Sequence, residues 1–168
     1  GVGNAVGMAL ALALKSQRFP GVFDGARVYA ICSDGDVMEG VSAEASSIAG
    51  HLGLSNLVLF WDDNKITIEG ETDLAFTEDV GKRYEAYGWF VQRIDGHDHA
   101  QIRAALEKAK AQKEKPSFIV ARTHIANGAP NAHDTSEAHG APLGKDEIAA
   151  TKKAMGFDPD KQFHVPDE

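Results

Sequence analysis

The chain has 168 residues, with 25 Asp and Glu against 17 Lys and Arg for a formal charge of −8, and a single cysteine. That length suits one domain with a real core and is short for two, while the acidic balance argues against nucleic acid or an anionic membrane as partner, since phosphates are held by clustered Lys and Arg. AVGMALALAL falls short of the roughly twenty apolar residues of a membrane span and ends in Lys15-Ser16-Gln17-Arg18, and the lone Cys32 has no internal disulfide partner, so a cytoplasmic location is expected.

Helix and strand patterns alternate along the chain, which predicts an α/β domain with a parallel sheet and helices on both faces. Residues 4–18 read as a buried helix, 27–33 as a strand, 37–52 as a helix and 56–62 as a strand. After a loop, Val80, Tyr84 and Tyr87 mark a short helix over 78–87 that ends at Gly88, and 90–94 is a strand. Asp98 suits the N-cap of a crossover helix running to about 113, with Ile102, Leu106 and Ala109 at helical spacing. Pro116 opens a last buried strand over 117–123. Residues 126–144 are rich in Gly, Pro, Asn and His, and a connection of that length usually binds or covers something. A terminal helix over 145–155 closes a domain of residues 1–155, and the turn-rich 156–168 reads as the start of a linker.

Two oxygen-bearing residues follow predicted strands: Asp34 in Ser33-Asp34-Gly35 and, thirty positions on, Asn64. By themselves, Asp and Asn at strand ends are ordinary turn formers and helix caps. In an open parallel sheet, however, carboxyl ends of strands face one crevice. Mg²⁺ takes one or two protein oxygens there and completes its shell with substrate phosphates. Gly35 lets backbone approach such phosphates, and the helix expected near Val37 turns its positive end toward an anion. Gly1, Gly3 and Gly7 miss the dinucleotide fingerprint by one residue and follow no predicted strand, so that reading is set aside.

The stretches SDGDVMEGVSAEASSIAGHLGLSNLVLFWDDNKITIEG, EDVGKRYEAYGW and AHGAPLG together resemble the thiamine-diphosphate-binding domain of transketolases, from Asn4 to about Val165. Ser33 stands where the family usually has Gly. Ile125-Ala126-Asn127-Gly128 replaces its Ile-Gly-x-Gly, and His133-Asp134 replaces smaller residues. The resemblance implies that Asp34, Asn64 and the carbonyl of Ile66 ligate Mg²⁺ or Ca²⁺. It implies that Gly35 and Asp36 lie at the thiamine diphosphate; Asp62 and Asp63 would support the cation from behind or simply cap the strand. Ile66, Ile68 and Ile125, which alone read as core residues, would line the thiazolium ring. His139, alone a solvated loop histidine, would meet the diphosphate and the reacting carbons and shuttle protons. Glu39 and Glu44, read as carboxylates on neighbouring faces of the second helix, would sit near the aminopyrimidine at a subunit interface. His51, His97, His99, His124, His133 and His164 are read as structural or solvated.

The glycine-rich start lacks an initiating Met, so the chain is expected to be an excerpt of a longer polypeptide. By the resemblance, the parent moves a two-carbon ketol unit between sugar phosphates as a homodimer. Its activating glutamate sits in a pyrimidine-binding domain missing here, so no turnover is expected from these residues alone. The alternatives are dihydroxyacetone synthase, a deoxyxylulose-phosphate synthase, disfavoured by DDNKITIEG and HGAPLG, or a noncatalytic assembly module on the same fold.

Overall fold

Two runs, residues 57–61 and 118–121, are apolar throughout, and strands without a polar face are stable only where both faces are covered. The computed structural model, which describes residues 1–166, sets them at the centre of a four-stranded parallel sheet of order β1-β2-β4-β3. The strands are β1 Val28–Ser33, β2 Leu57–Asp63, β3 Phe90–Asp95 and β4 Ser117–Arg122. The helices are α1 Val2–Arg18, α2 Asp34–Met38, α3 Gly40–His51, α4 Val80–Ala86, α5 His99–Ala111 and α6 Lys145–Ala154. The described residues divide into two units. Gly1–Asn64 with Ala75–Thr123 carries the sheet and α1 to α5, and 65–74 with 124–166 carries α6.

In the first unit, one sheet face packs Leu57, Leu59, Trp61, Phe118 and Val120 with apolar residues of α1, α3 and α4. The other packs Val58 and Ile119 against Ala105 and Ala109 of α5. Helices thus lie on both faces, as the alternation predicts, yet cover is incomplete at the β1 edge. Tyr29 and Ile31 alternate away from the first core and stay 51% and 77% exposed.

Phe118 is fully buried and stacks on Tyr84 at 3.7 Å between ring centroids and 6° between planes, and Trp89 meets the Tyr84 ring edge-on at 5.1 Å. Their polar handles are satisfied locally. Ser46 Oγ lies 3.0 Å from Tyr84 Oη, and Trp89 Nε1 donates to Ser46 O at 2.8 Å. Burial pushes the Tyr84 phenol up to about 12. Gly50 is required by close approach, because a Cβ there would fall 1.8 Å from Tyr87 O.

The helix expected over 37–52 is two helices. Glu39 adopts φ −66°, ψ 133°, which ends α2 and begins α3 at Gly40. The break has a tertiary cause: Arg83 of α4 donates to Val37 O at 2.7 Å, occupying a carbonyl that a continuous helix would use. The dipole of a long helix starting near Val37 is therefore not what faces the strand ends; a five-residue helix starting at Asp34 is.

The N-cap of α4 is Asp79, which accepts from Lys82 N at 3.0 Å and pairs with Arg93 at 3.1 Å. Residues 65–74 form a tight hairpin, bridged at Ile66 and Glu71, that runs into a 3-10 turn at Thr72–Leu74. Glu147 of α6 accepts from Asn131 N, Asn131 Nδ2 and Ala132 N at 2.7, 2.8 and 3.0 Å, tying that helix to its preceding loop and lowering its own pKa.

Phe118→Ala is expected to cost about 3–5 kcal/mol by loss of a fully packed ring, read as a lower urea midpoint at unchanged slope. The donors around Asp79, led by the Lys82 backbone N–H, hold its carboxyl at about 2 against 3.8. Because the folded pKa is depressed, that contribution is present above pH 3.8 and lost as pH falls toward 2. Asp79→Asn should flatten the acid limb of stability in that window, and an unchanged limb would refute the assignment.

Candidate functional site

Parallel pairing of β1 with β2 sets Ser33 opposite Asp62, so Asp34, the next residue, and Asn64, two further on, emerge at neighbouring carboxyl ends of hydrogen-bonded strands. Asp34 is the first residue of α2 and is 4% exposed. Asn64 is half-buried and Asp63, beside it, is 6% exposed. These carboxyl ends are also pinned from β4. Thr123 Oγ1 donates to Asp62 Oδ1, while Thr123 N and Arg122 Nη1 donate to Asp63 O at 3.2 and 3.0 Å.

The turn that carries Asp34 is held by its own sequence. The Asp36 carboxylate accepts from Ser33 N at 2.9 Å and from Ser33 Oγ at 3.1 Å, the reciprocal half of a capping box. Ser33, where the family usually has Gly, thus has a structural role. Asp36, implied as a cofactor contact, spends one carboxylate oxygen on this turn. Gly35 needs no special backbone angle, and a Cβ added to it would meet nothing within 4 Å. Its bare backbone borders open space beside the first turn of α2.

Charge concentrates at the same end of β1. The buried Cys32 thiol is pushed up to about 12, first by burial and then by the negative charges of Asp36, Asp34 and Asp62. A phosphate entering this field alone would be repelled, whereas a divalent cation would be attracted and would bridge the two. Carboxylate and amide oxygens are the donors such hard cations take. The donor set and the open space beside Gly35 therefore fit a cation-bridged phosphate ligand.

Glu39 and Glu44 are not on neighbouring faces of one helix: Glu39 is the extended residue between α2 and α3, and Glu44 lies within α3. Both are exposed. Ile66, Ile68, Ile125 and His139 belong to the second unit. The Ile66 bridge is made by Thr67 N to Gly70 O at 2.6 Å and Thr72 N to Lys65 O at 2.9 Å. That pattern turns the Ile66 N–H and carbonyl outward from the hairpin. Ile66 is buried and Ile68 is 70% exposed. Ile125 is half-buried, and its carbonyl accepts from Asp134 N at 3.1 Å. His139 is exposed at the end of the 3-10 turn Ser136–Ala138.

One grouping was missed in the sequence. His124, His133 and Asp134 converge, and their ligand atoms all lie within 4.8 Å of one another. The available signal was the replacement of small residues by His133-Asp134, which pointed only to altered loop geometry. No helix among the described residues is long and apolar enough to cross a membrane.

Cys32 is predicted to resist iodoacetamide in native buffer and to react fully in denaturant, followed by mass spectrometry. Equal rates in the two conditions would contradict its burial.

The family model for the transketolase thiamine diphosphate binding domain matches residues 1–168. Transketolase of Mycobacterium bovis is 47% identical over 175 residues, spanning 100% of this chain and 25% of the relative. That of Aquifex aeolicus is 48% identical over 173 residues, spanning 100% and 24%. Among solved structures, transketolase from Leishmania mexicana superposes with a TM-score of 0.95 at 43% identity, over 99% of this chain and 26% of that one. A mutant transketolase of Pichia stipitis in complex with fructose-6-phosphate gives 0.94 at 45% identity, over 99% and 25%. The chain thus spans about a quarter of the length of these relatives.

Proposed function

This chain belongs to the transketolase family as its thiamine diphosphate binding domain, and from that premise we propose that it anchors the cofactor's diphosphate through a divalent cation held by Asp34, Asn64 and the Ile66 carbonyl. The observation that carries this reading is the β1–β2 register, which brings two oxygen donors to adjacent strand ends where three carboxylates already make the field negative. Mg²⁺ and Ca²⁺ are the cations that suit oxygen ligands.

The chain's own residues then divide the work. Gly35 lets the diphosphate lie against bare backbone, and Asp36 keeps the turn that presents Asp34 from unwinding. Thr123 and Arg122 hold Asp62 and the Asp63 carbonyl, fixing the strand end from which Asn64 projects. Ile66, Ile68 and Ile125 supply an apolar wall for the thiazolium ring, and covering Ile68 removes an exposed isoleucine from water. His139 donates a ring N–H to phosphate or to a sugar oxygen and shuttles protons at the reacting carbons. Glu39 and Glu44, both solvent-facing, serve a subunit contact near the aminopyrimidine.

When bound, thiamine diphosphate supplies the electron sink for moving a two-carbon ketol unit from a ketose phosphate to an aldose phosphate. The whole enzyme works in the cytoplasm as a homodimer whose pyrimidine-binding domain completes the site.

Calorimetric titration of the chain with thiamine diphosphate is expected to show binding only when Mg²⁺ or Ca²⁺ is present. Asp34→Ala should abolish it, and Asn64→Ala should weaken it by at least about 10-fold, the loss seen even for residues that merely orient metal ligands. Ketol transfer is expected from the full-length enzyme and not from these 168 residues. Cofactor binding indifferent to chelator and to Asp34→Ala would sink the proposal.

A further inference from the structure

The cluster in the loop of the second unit differs chemically from the oxygen site at the sheet. His124 Nδ1 lies 2.7 Å from Asp134 Oδ2, and His133 Nε2 lies 3.4 Å from that same oxygen. The two imidazoles stack at 5.1 Å between centroids, 23° from parallel, and direct one ring nitrogen each at the shared carboxylate. His124 lies two residues past the end of β4, His133 and Asp134 return nine and ten residues later, and Asp134 N closes the loop by donating to Ile125 O at 3.1 Å. Asp134 sits at φ 55°, a conformation that Asp tolerates better than most residues and that turns its carboxylate back toward His124.

We propose that His124, His133 and Asp134 form a site for a borderline transition-metal ion of the Zn²⁺ class, separate from the cation that anchors a diphosphate. Two imidazoles and one carboxylate are the donor set of three-ligand zinc centres, which leave a coordination place for solvent. Mg²⁺ and Ca²⁺ prefer all-oxygen shells, so the two sites sort their ions by donor softness. The geometry needs little change. Ligands on a tetrahedral ion with bonds of about 2.1 Å stand about 3.4 Å apart, the separation already found between His133 and Asp134. The His124–Asp134 pair opens by a fraction of an ångström as the metal replaces the proton shared between them, and the remaining leg is bounded by 4.8 Å. Side-chain exposures of 40%, 40% and 35% give the ion a path in from solvent.

The test titrates the full chain with Co²⁺ alone, without thiamine diphosphate or Mg²⁺, and reads the visible ligand-field band. One Co²⁺ per chain is expected, displaced by Zn²⁺ and unaffected by excess Mg²⁺. His133→Ala and Asp134→Asn should each weaken binding by at least about 10-fold, while His99→Ala leaves it unchanged. Asn keeps the positive φ accessible, and far-UV circular dichroism checks that both variants fold. In the unmodified chain, the ring ¹⁵N resonances of His124 and His133 should shift on adding Zn²⁺. Absence of a Co²⁺ band, equal affinity in the His133→Ala variant, or unmoved ¹⁵N resonances would each overturn the assignment.

Discussion

The parallel pairing of β1 with β2 is the constraint on which the site depends. Its register puts Ser33 beside Asp62, and a slip of one residue would carry every side chain of β1 to the opposite face. Cys32, Ala30 and Val28 would then leave the core, and Asp34 would no longer emerge level with the end of β2. The register is held because burying those apolar positions is favourable in one alignment only.

The same core reaches the site by a second route, through α4. Tyr84 of that helix stacks on Phe118 at the centre of the sheet, and its neighbour Arg83 donates to Val37 O at 2.7 Å. Packing of the aromatic cluster therefore positions the guanidinium that ends α2. That leaves the carboxylates of Asp34 and Asp36 on a short, separately capped turn instead of on the first turn of a long helix. Negative charge gathers there because the turn is built from acidic residues, and the buried Cys32 thiol registers the field. Such a field repels a bare phosphate and favours one accompanied by a hard cation. The imidazoles of His124 and His133 make a softer set of donors around Asp134, and the contrast in ligand chemistry keeps the two sites distinct.

Much of this was legible in the linear chain. An unbroken apolar run marks β4 as a buried strand, Asp98 does cap α5, accepting from Ala100 N and Gln101 N, and Pro116 does precede β4. Asp34 and Asn64 stood out as oxygen donors at strand ends, and DDNKITIEG and HGAPLG carried the family. The division of the second helix was not legible, because Glu39 and Gly40 do not forbid helix strongly and the group that breaks it, Arg83, is 46 residues away from its acceptor. The incomplete cover at Tyr29 and Ile31 was equally hidden, since an alternating strand reads the same whether or not a helix reaches its outer face. The two histidines and the aspartate of the loop looked unrelated, because neither periodicity nor spacing reports a reversal made through Ala126, Gly128 and Asp134 at positive φ.

Local pattern by itself determined the strands and all the helices except the break at Glu39, which faces are apolar, and which oxygen and imidazole groups are available for chemistry. Those properties depend on side-chain type and on the fixed periods of strand and helix. Tertiary structure alone decided strand order, register, the end of α2 at Met38 and the meeting of His124 with Asp134. Each of these is a contact between residues distant in sequence or across a turned loop, and its free energy exists only once the intervening chain has been folded and its entropy lost.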